Sequence, residues 1–218
     1  MFTGIIEDIG LVESINSKSI SVSTKLDQIK IGDSISVNGI CLTVTNLIRE
    51  KSLDRRGQNN FSILSFDISK ETFNRTNIKY IQKKHLVNLE RALTLTSRLS
   101  GHIVTGHIDG ITKIKNIKKV GNGWEFYFDI PNELDKFITE KGSVAIDGIS
   151  LTIANKTSSY FSVAVVPFTY ENTNLKNRKN GDVVNLEIDV LARYIYSILK
   201  NEQIQNVSLM DLTKNEKN

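Results

Sequence analysis

The sequence predicts an all-β protein built from two tandem copies of one small domain. Three observations lead to this fold class: phrases that recur in the same order, short runs of alternating apolar residues, and turn residues between those runs. The 218 residues allow two domains of about 100 residues each. Several short strands in each hundred residues indicate a barrel or a sandwich in each half.

Four pairs of matching phrases carry the duplication. Their offsets drift only from 97 to 109 residues, and chance similarity between β-rich segments would not keep four pairs in order. The largest insertion in the first copy is the polar segment REKSLDRRGQNN. The pairs are FTGI (2–5) with VTGH (104–107), NGICLTV (38–44) with DGISLTI (147–153), ETFNRTNI (71–78) with FTYENTNL (168–175), and VNLE (87–90) with VNLE (184–187).

Strands are predicted where apolar residues alternate around turn residues. In SISVNGICLTV the pair Asn38-Gly39 separates two alternating runs and gives the strongest short hairpin signal. In VAIDGISLTI the pair Asp147-Gly148 does the same. Three further runs, FSILSFDI, WEFYFDI and YFSVAVV, are rich in β-branched and aromatic residues and are predicted strands.

Apolar residues recur at helical spacing only near the end of the chain, where a helix is predicted. Leu191, Ile195, Ile198 and Leu199 form one apolar stripe at helical spacing. The polar segment that follows, NEQIQNVSLMDLTKNEKN, is expected to be frayed. We place the first domain at 1–101, the second at 102–189, and the helix with its polar tail at 190–218.

Composition and charge exclude several classes of function. The net charge of +4 is mild, and the basic clusters at 83–84 and 113–119 indicate solvated surface rather than a nucleic-acid groove. The single cysteine rules out an intrachain disulfide and fits a reducing compartment. The first ten residues lack a basic signal-peptide region, and no apolar run approaches the ~20 residues of a membrane span. We expect a cytoplasmic protein with no membrane or nucleic-acid partner.

The repeated phrase at the two hairpins contains candidate site residues. Strand periodicity places Cys41 and Thr43 on the face opposite the apolar core positions, and it places Ser150 and Thr152 in the same way. For one copy alone, a solvent-facing strand would be the simpler interpretation. Because both copies keep a threonine beside a small nucleophile-sized group, the sequence predicts a paired site.

Two of the three histidines lie at the junction of the copies, in GHIVTGHIDG. On a strand, their spacing of five puts His102 and His107 on opposite faces, and no second cysteine or carboxylate cluster completes a metal-ligand set. Histidine is suited to moving protons near neutral pH, so a catalytic role competes with a structural one. Cys41 could instead have a purely structural role, since a free cysteine often behaves as a small buried apolar residue. The motifs GxGxxG, GxSxG and the P-loop do not occur.

Seven segments, taken in order, resemble the α-chain type of riboflavin synthase: MFTGIIEDIG, NGICLTV, ETFNRTN, VNLERA, GHIVTGHIDG, KGSVAIDGISLT and VNLEIDV. The resemblance covers almost the whole chain. It implies two six-stranded antiparallel Greek-key barrels, each binding one lumazine. It also implies a homotrimer held by C-terminal helices, with lumazine synthase as a further candidate partner, and no cofactor or metal.

The resemblance also implies the reaction, the last step of riboflavin biosynthesis. Two molecules of 6,7-dimethyl-8-ribityllumazine dismutate by transfer of a four-carbon unit, which gives riboflavin and 5-amino-6-(D-ribitylamino)uracil. Two similar pockets would hold the two identical substrates against each other. The chief alternative is a non-catalytic lumazine- or flavin-binding antenna protein with the same duplicated barrel. A flavin reductase module would need a nucleotide-binding domain that this sequence lacks.

Carried over by position, the resemblance assigns catalytic roles and two pockets. His102 would transfer protons, the non-identical Cys41 and Ser150 would separate donor and acceptor sites, and Thr152, Lys141 and Asp189 would support them. The first pocket would comprise Gly4, Ile5, Ile6, Cys41, Leu42, Thr43, Asp67, Ile68, Ser69, Lys70, Glu71 and Thr72. The second pocket would comprise Gly106, His107, Ile108, Lys141, Ser150, Leu151, Thr152, Ala164, Val165, Val166, Pro167, Phe168 and Thr169.

Two positions depart from the family pattern. The second half of the family usually reads Pro-Glu-Thr where this chain has Pro167-Phe168-Thr169, which puts a polar contact from Phe168 in doubt. Ser100 stands at the junction where the family often has a second glycine, a smaller change.

Overall fold

The computed structural model describes residues 1–50 and 61–200. Two closed six-stranded barrels form this part of the chain, and every strand pairs antiparallel with its neighbours. The predicted fold class is therefore confirmed. Most of the predicted insertion, and the whole predicted frayed tail, lie outside the described residues.

The first barrel contains six strands in the order β1-β2-β5-β4-β3-β6, closed by pairing of β1 with β6. Consecutive strands β2 and β3 are not neighbours, an arrangement typical of Greek-key barrels. The strands are β1 (Asp8–Ile15), β2 (Ser19–Thr24), β3 (Ser34–Val37), β4 (Ile40–Glu50), β5 (Phe61–Asp67) and β6 (Leu86–Arg91).

The second barrel repeats this topology in the cyclic order β7-β8-β11-β10-β9-β12. Even the bulges repeat: β4 shifts register after Val44, and β10 shifts after the equivalent Ile153. The strands are β7 (Gly110–Val120), β8 (Gly123–Asp129), β9 (Ser143–Ile146), β10 (Ile149–Lys156), β11 (Tyr160–Val165) and β12 (Val183–Ile188).

Each barrel encloses its own apolar core. Phe66 fills the first core, and Phe126, Phe128 and Phe161 fill the second, all fully buried. Burying each of these rings stabilises the fold by about 1.5–3 kcal/mol relative to leaving it exposed. The alternation that predicted the strands therefore reports which side chains face inward.

Within residues 1–50 and 61–200, three helices accompany the barrels, and the sequence analysis did not predict two of them. α1 (Lys70–Arg75) follows β5, and α2 (Pro167–Glu171) follows β11. Both are too short for helical periodicity to show. The predicted C-terminal helix, α3, covers 190–200 in the described part of the chain. None of the helices there is long and apolar enough to cross a membrane. Short 3₁₀ turns are Asn77–Tyr80, Asp135–Phe137 and Asn174–Asn177.

The two halves meet around an approximate twofold axis. Phe2 and Val104 exchange both backbone hydrogen bonds across it, at 2.7 and 3.1 Å. The two hairpin turns also touch, because a Cβ on Gly39 would lie 2.7 Å from the backbone nitrogen of Gly148. Both glycines have positive φ, as the predicted Asn-Gly and Asp-Gly turns require. Ala145 lies with Phe2 and Val104 in a small buried cluster.

A buried polar network surrounds this axis. The carboxylate of Asp147 accepts hydrogen bonds from Asn77 Nδ2 (2.9 Å), Asn174 Nδ2 (3.0 Å), the Asn185 backbone N–H (2.8 Å) and Arg178 Nη2 (2.5 Å). The carboxylate is completely buried, so these donors replace the water it would otherwise need. The network fixes the second barrel against the first.

Candidate functional site: two related sites at the barrel junction

The first strand of interest, β4, begins with a backbone edge that β5 leaves unpaired. The two-residue hairpin directs the N–H and C=O groups of Ile40 and Leu42 towards β3, so those of Cys41 and Thr43 point away from it. The next strand, β5, pairs with β4 only from Val44 onwards. β10 has the same register in the second barrel, where Ser150 and Thr152 take the equivalent places. Beyond the N–H of Cys41 or Ser150, which a turn of the other copy binds, each edge can therefore offer backbone groups to a planar polar ligand.

The N-terminal turn of each copy covers the strand edge of the other copy. The Cys41 N–H donates to the Gly106 carbonyl at 2.9 Å, and the Ser150 N–H donates to the Gly4 carbonyl at 2.8 Å. Both glycines have positive φ, and a Cβ at Gly106 would lie 2.5 Å from that of Cys41. The grouping predicted from the sequence is therefore exchanged, because each turn crosses the twofold axis before its own barrel begins. Cys41 lies with 106–108, and Ser150 lies with 4–6.

The Cys41 site is a cleft of about 310 Å³. Its walls come from the start of β4, from α1, from the 106–109 turn and from the first turn of α3. Arg193 of α3 binds Asp109 at 2.6 Å, so the helix is fastened to the rim of the cleft. The lining residues are Ile40, Cys41, Glu71, Thr72, Arg75, Thr76, Gly106, His107, Ile108, Asp109 and Arg193.

The Ser150 site, formed by 4–6, 150–152 and His102, contains a histidine–serine pair. The distance between His102 Nδ1 and Ser150 Oγ is 2.7 Å. The backbone N–H of His102 donates to the Thr3 carbonyl at 3.2 Å. His102 is 8% exposed, and its Nε2 is a buried atom with no hydrogen-bond partner among the described residues. Burial lowers the pKa of His102 below its ordinary 6.5, and the nearby charge of Asp189 opposes that shift. The imidazole is therefore neutral near pH 7.

The other predicted catalytic residues make no hydrogen bond to this pair among the contacts of the described residues. Asp189 is half-buried, and its Oδ1 accepts the Leu191 N–H at 3.0 Å, which caps α3. Thr152 is exposed on the same strand edge as Ser150. Lys141 is also exposed, and its backbone N–H donates to the carbonyl of Ile153, beside Thr152. Cys41 lies in the other site.

Several predicted substrate contacts prove to have structural roles for their side chains. Ser69 caps α1, since its Oγ accepts the Thr72 N–H at 3.0 Å. Phe168, by contrast, is 77% exposed and contributes to no core. Leu42, Ile68, Leu151 and Val165 have side chains in the barrel cores, so each could meet a ligand only through its backbone.

Two residues that the sequence analysis used only as repeat markers bind the covering turns. Glu90 accepts three hydrogen bonds from Thr3 and Gly4, and Glu187 accepts three from Thr105 and Gly106. Both are buried at the end of a VNLE phrase. A glutamate that recurs at the same place in both VNLE phrases, directly after a core-facing leucine, was the signal that could have identified them.

Comparison with known proteins places this geometry in a family. The model of the family described as "Lumazine binding domain" matches residues 3–92 and 105–189. Riboflavin synthase of Photobacterium phosphoreum is 39% identical over 222 residues, covering 97% of this chain and 96% of that protein. Riboflavin synthase of Bacillus subtilis (strain 168) is 34% identical and covers 99% of both.

The solved structures give the same architecture. The crystal structure of LumP complexed with riboflavin has a TM-score of 0.72 and 24% sequence identity, and the similarity covers 86% of this chain and 99% of that chain. LumP complexed with 6,7-dimethyl-8-(1'-D-ribityl) lumazine gives a TM-score of 0.71 at 23% identity. This chain therefore belongs to the lumazine-binding domain family, as a full-length relative of the riboflavin synthases.

Proposed function

We propose that the chain is a riboflavin synthase, which converts two molecules of 6,7-dimethyl-8-ribityllumazine into riboflavin and 5-amino-6-(D-ribitylamino)uracil. Relatives of that name match it over nearly their whole length at 34–39% identity. The structural observation that supports this activity is the pair of related sites, which share a backbone edge but differ at Cys41 and Ser150. Two similar sites can bind two identical substrates, and the difference between Cys41 and Ser150 allows one substrate to donate carbon atoms and the other to accept them.

The Ser150 site contains the groups needed for proton transfer. The C7 methyl group of one lumazine must lose a proton, and a neutral imidazole can accept it. Nε2 is buried away from solvent, so His102 reaches the substrate through Ser150. Nδ1 takes the hydroxyl proton across the 2.7 Å contact while the hydroxyl oxygen takes the proton of the methyl group. Asp189 stabilises the imidazolium that forms, since its charge favours the protonated ring. We assign His102 as the base on this geometry.

The antenna alternative is not favoured. The riboflavin synthases align with nearly the whole chain, whereas the LumP structures share 23–24% identity, a similarity of fold alone. A direct assay separates the two functions. Purified protein incubated with 6,7-dimethyl-8-ribityllumazine should form riboflavin, detected by its absorbance and fluorescence, with one uracil product for each riboflavin. Stoichiometric binding of the lumazine without turnover would instead identify a binding protein.

We further propose that the complete active site forms between subunits of a homotrimer. The axis between the two halves of one chain is filled by Phe2, Val104 and Ala145, all buried. Two lumazines bound at the strand edges of one chain are therefore kept apart by protein. If the first barrel of one subunit faces the second barrel of its neighbour, three such contacts close a ring. The cytoplasmic location and an association with lumazine synthase stay predictions.

The exposed face of the C-terminal helix is an observation in favour of the proposed trimer. Its inner face is fastened to the second barrel, where the rings of Tyr196 and Phe137 lie 5.2 Å apart and Arg193 binds Asp109. The apolar stripe of α3 faces away: Leu191, Ile195 and Ile198 are each 58% exposed. An apolar stripe of this length is expected to be buried against a partner, and identical helices of neighbouring subunits would bury it.

Replacing Ile195 by Asp should abolish trimerisation and activity together, because a charge in the centre of the stripe could not be buried between helices. Ser197→Asp is the matched control, since Ser197 is an exposed residue of the same helix that lies outside the stripe. Light scattering and the riboflavin assay measure the two effects. An Ile195→Asp protein that remains trimeric would show that α3 does not form the interface.

A further inference from the structure

We infer that Glu90 is a positioning residue for the His102–Ser150 pair, and that Glu187 has the corresponding role for Cys41. The catalytic meaning of this inference rests on the proposed function. The structural link from each carboxylate to its site is independent of the proposed function, and it can be measured without turnover.

Glu90 holds one tight turn with both of its oxygens. Its Oε1 accepts the backbone N–H and the hydroxyl of Thr3, both at 2.6 Å, and its Oε2 accepts the Gly4 N–H at 3.0 Å. Three donors thus converge on one buried carboxylate. Such charge-assisted bonds are roughly twice as strong as neutral ones, so the 3–4 turn is held rigidly against β6.

The opposite side of this turn carries the Ser150 site. The Thr3 carbonyl accepts the backbone N–H of His102, and the Gly4 carbonyl accepts the backbone N–H of Ser150. The side chains of those two residues then meet at 2.7 Å. One carboxylate therefore sets, through two adjacent carbonyls, the relative position of the imidazole and of the hydroxyl that it contacts.

Glu187 repeats the arrangement for the other site. It accepts the N–H and hydroxyl of Thr105, both at 2.7 Å, and the Gly106 N–H at 3.0 Å. The Gly106 carbonyl accepts the Cys41 N–H. The Cys41 site presents a free thiol where the other site presents the His102–Ser150 pair. The two glutamates are thus a matched pair that serve sites with different contents.

A carboxylate is required at both positions by the number of donors. Desolvation raises the pKa of Glu90 and of Glu187, and the hydrogen bonds from each turn oppose that rise. A glutamine has one acceptor oxygen, and its NH₂ group would face the N–H of Gly4 or Gly106. Glu→Gln therefore keeps the shape of the side chain and breaks the clamp, leaving a buried donor unsatisfied.

The test uses Glu90→Gln and Glu187→Gln in the full chain with one probe for each site. The pKa of His102, followed by NMR of the imidazole, reports on the Ser150 site. The rate of alkylation of Cys41 by iodoacetamide reports on the other, and Cys41 is the single cysteine. Glu90→Gln should move the His102 pKa up towards 6.5 as burial loosens, with the alkylation rate unchanged. Glu187→Gln should accelerate alkylation by about tenfold, with the His102 pKa unchanged.

Turnover adds a catalytic readout. Glu90→Gln should lower kcat by about tenfold or more while binding of the lumazine at the Cys41 site stays within about twofold. Thr3→Val, which removes one of the three bonds, should give a smaller change in the same direction, and Thr3→Ser should restore the wild-type values. This pair also replaces Glu90→Gln if that variant fails to fold.

The inference is overturned if both glutamine variants change both probes alike, or if neither variant changes its own probe, since the carboxylates would then act on the whole fold or not at all. An inactive wild-type protein that still shows the crossed pattern of probes would contradict the proposed function and leave the structural link intact.

Discussion

Replacing His102 by Gln is expected to lower kcat by about 10²–10⁴-fold, the usual contribution of a positioned base. Glutamine can keep the hydrogen bond to Ser150, so the site should retain its shape and its affinity for the lumazine. Burial lowers the pKa of His102, so the neutral base persists below pH 6.5. The wild-type kcat should therefore fall only as the pH drops below 6.5, and this acid limb should be absent from the residual activity of His102→Gln.

His85→Gln is the matched control for that experiment. His85 Nδ1 accepts the Gln82 N–H in the turn before β6, and the residue belongs to neither site. Steady-state kinetics from pH 5 to 8, on both variants, separates a proton-transfer role from a general loss of stability. If His102→Gln turns over nearly as fast as the wild type, His102 serves only the fold.

Mixing two inactive variants should restore about a quarter of the wild-type activity. Thr43→Arg is designed to block the strand edge of the Cys41 site, and Thr152→Arg that of the Ser150 site. These two threonines are repeat equivalents, and both are exposed, so neither substitution disturbs a core. Each variant alone should be nearly inactive, because every junction between barrels contains one blocked site. In trimers refolded from equal amounts, each of the two sites at a junction is intact half the time, which gives roughly one intact junction in four.

Two measurements complete the mixing experiment. Refolding each variant by itself controls for activity gained during refolding, and light scattering confirms that the mixed protein forms trimers. If the paired sites lie within one chain, mixing restores nothing, because every chain carries one arginine. That result would require two lumazines to meet inside the monomer, across the buried axis.

The barrels could be predicted from the sequence because apolar, core-facing residues alternate with outward-facing residues along each strand. FSILSFDI, WEFYFDI and YFSVAVV all form strands within one residue of the predicted ends, and both hairpin turns lie at the predicted dipeptides. α1 and α2 were missed because five or six residues cannot display a helical period. Their local signals were Ser69 as an N-cap and Pro167 at the first helical position.

The candidate site was harder to predict because its contacts join distant segments. Strand periodicity correctly put Cys41 and Ser150 opposite the cores. It gave no information on which turn covers which strand, since that depends on how the two halves pair about the axis. The same limit applies to Glu90 and Glu187, whose partners lie more than 80 residues away. Sequence position alone therefore paired each strand with the turn of its own copy.

The buried carboxylate on the twofold axis has a consequence for how the halves recognise each other. Asp147 stands where the first copy has Asn38, and Asn174 Nδ2 donates to both, at 3.0 and 3.1 Å. Two second halves paired with each other would bring two Asp147 carboxylates together away from water, where like charges repel strongly. One carboxylate opposite one amide, with Arg178 beside it, avoids that repulsion. The single charge of Asp147 thus makes the two halves chemically different, and it favours pairing of a first half with a second half over pairing of two second halves.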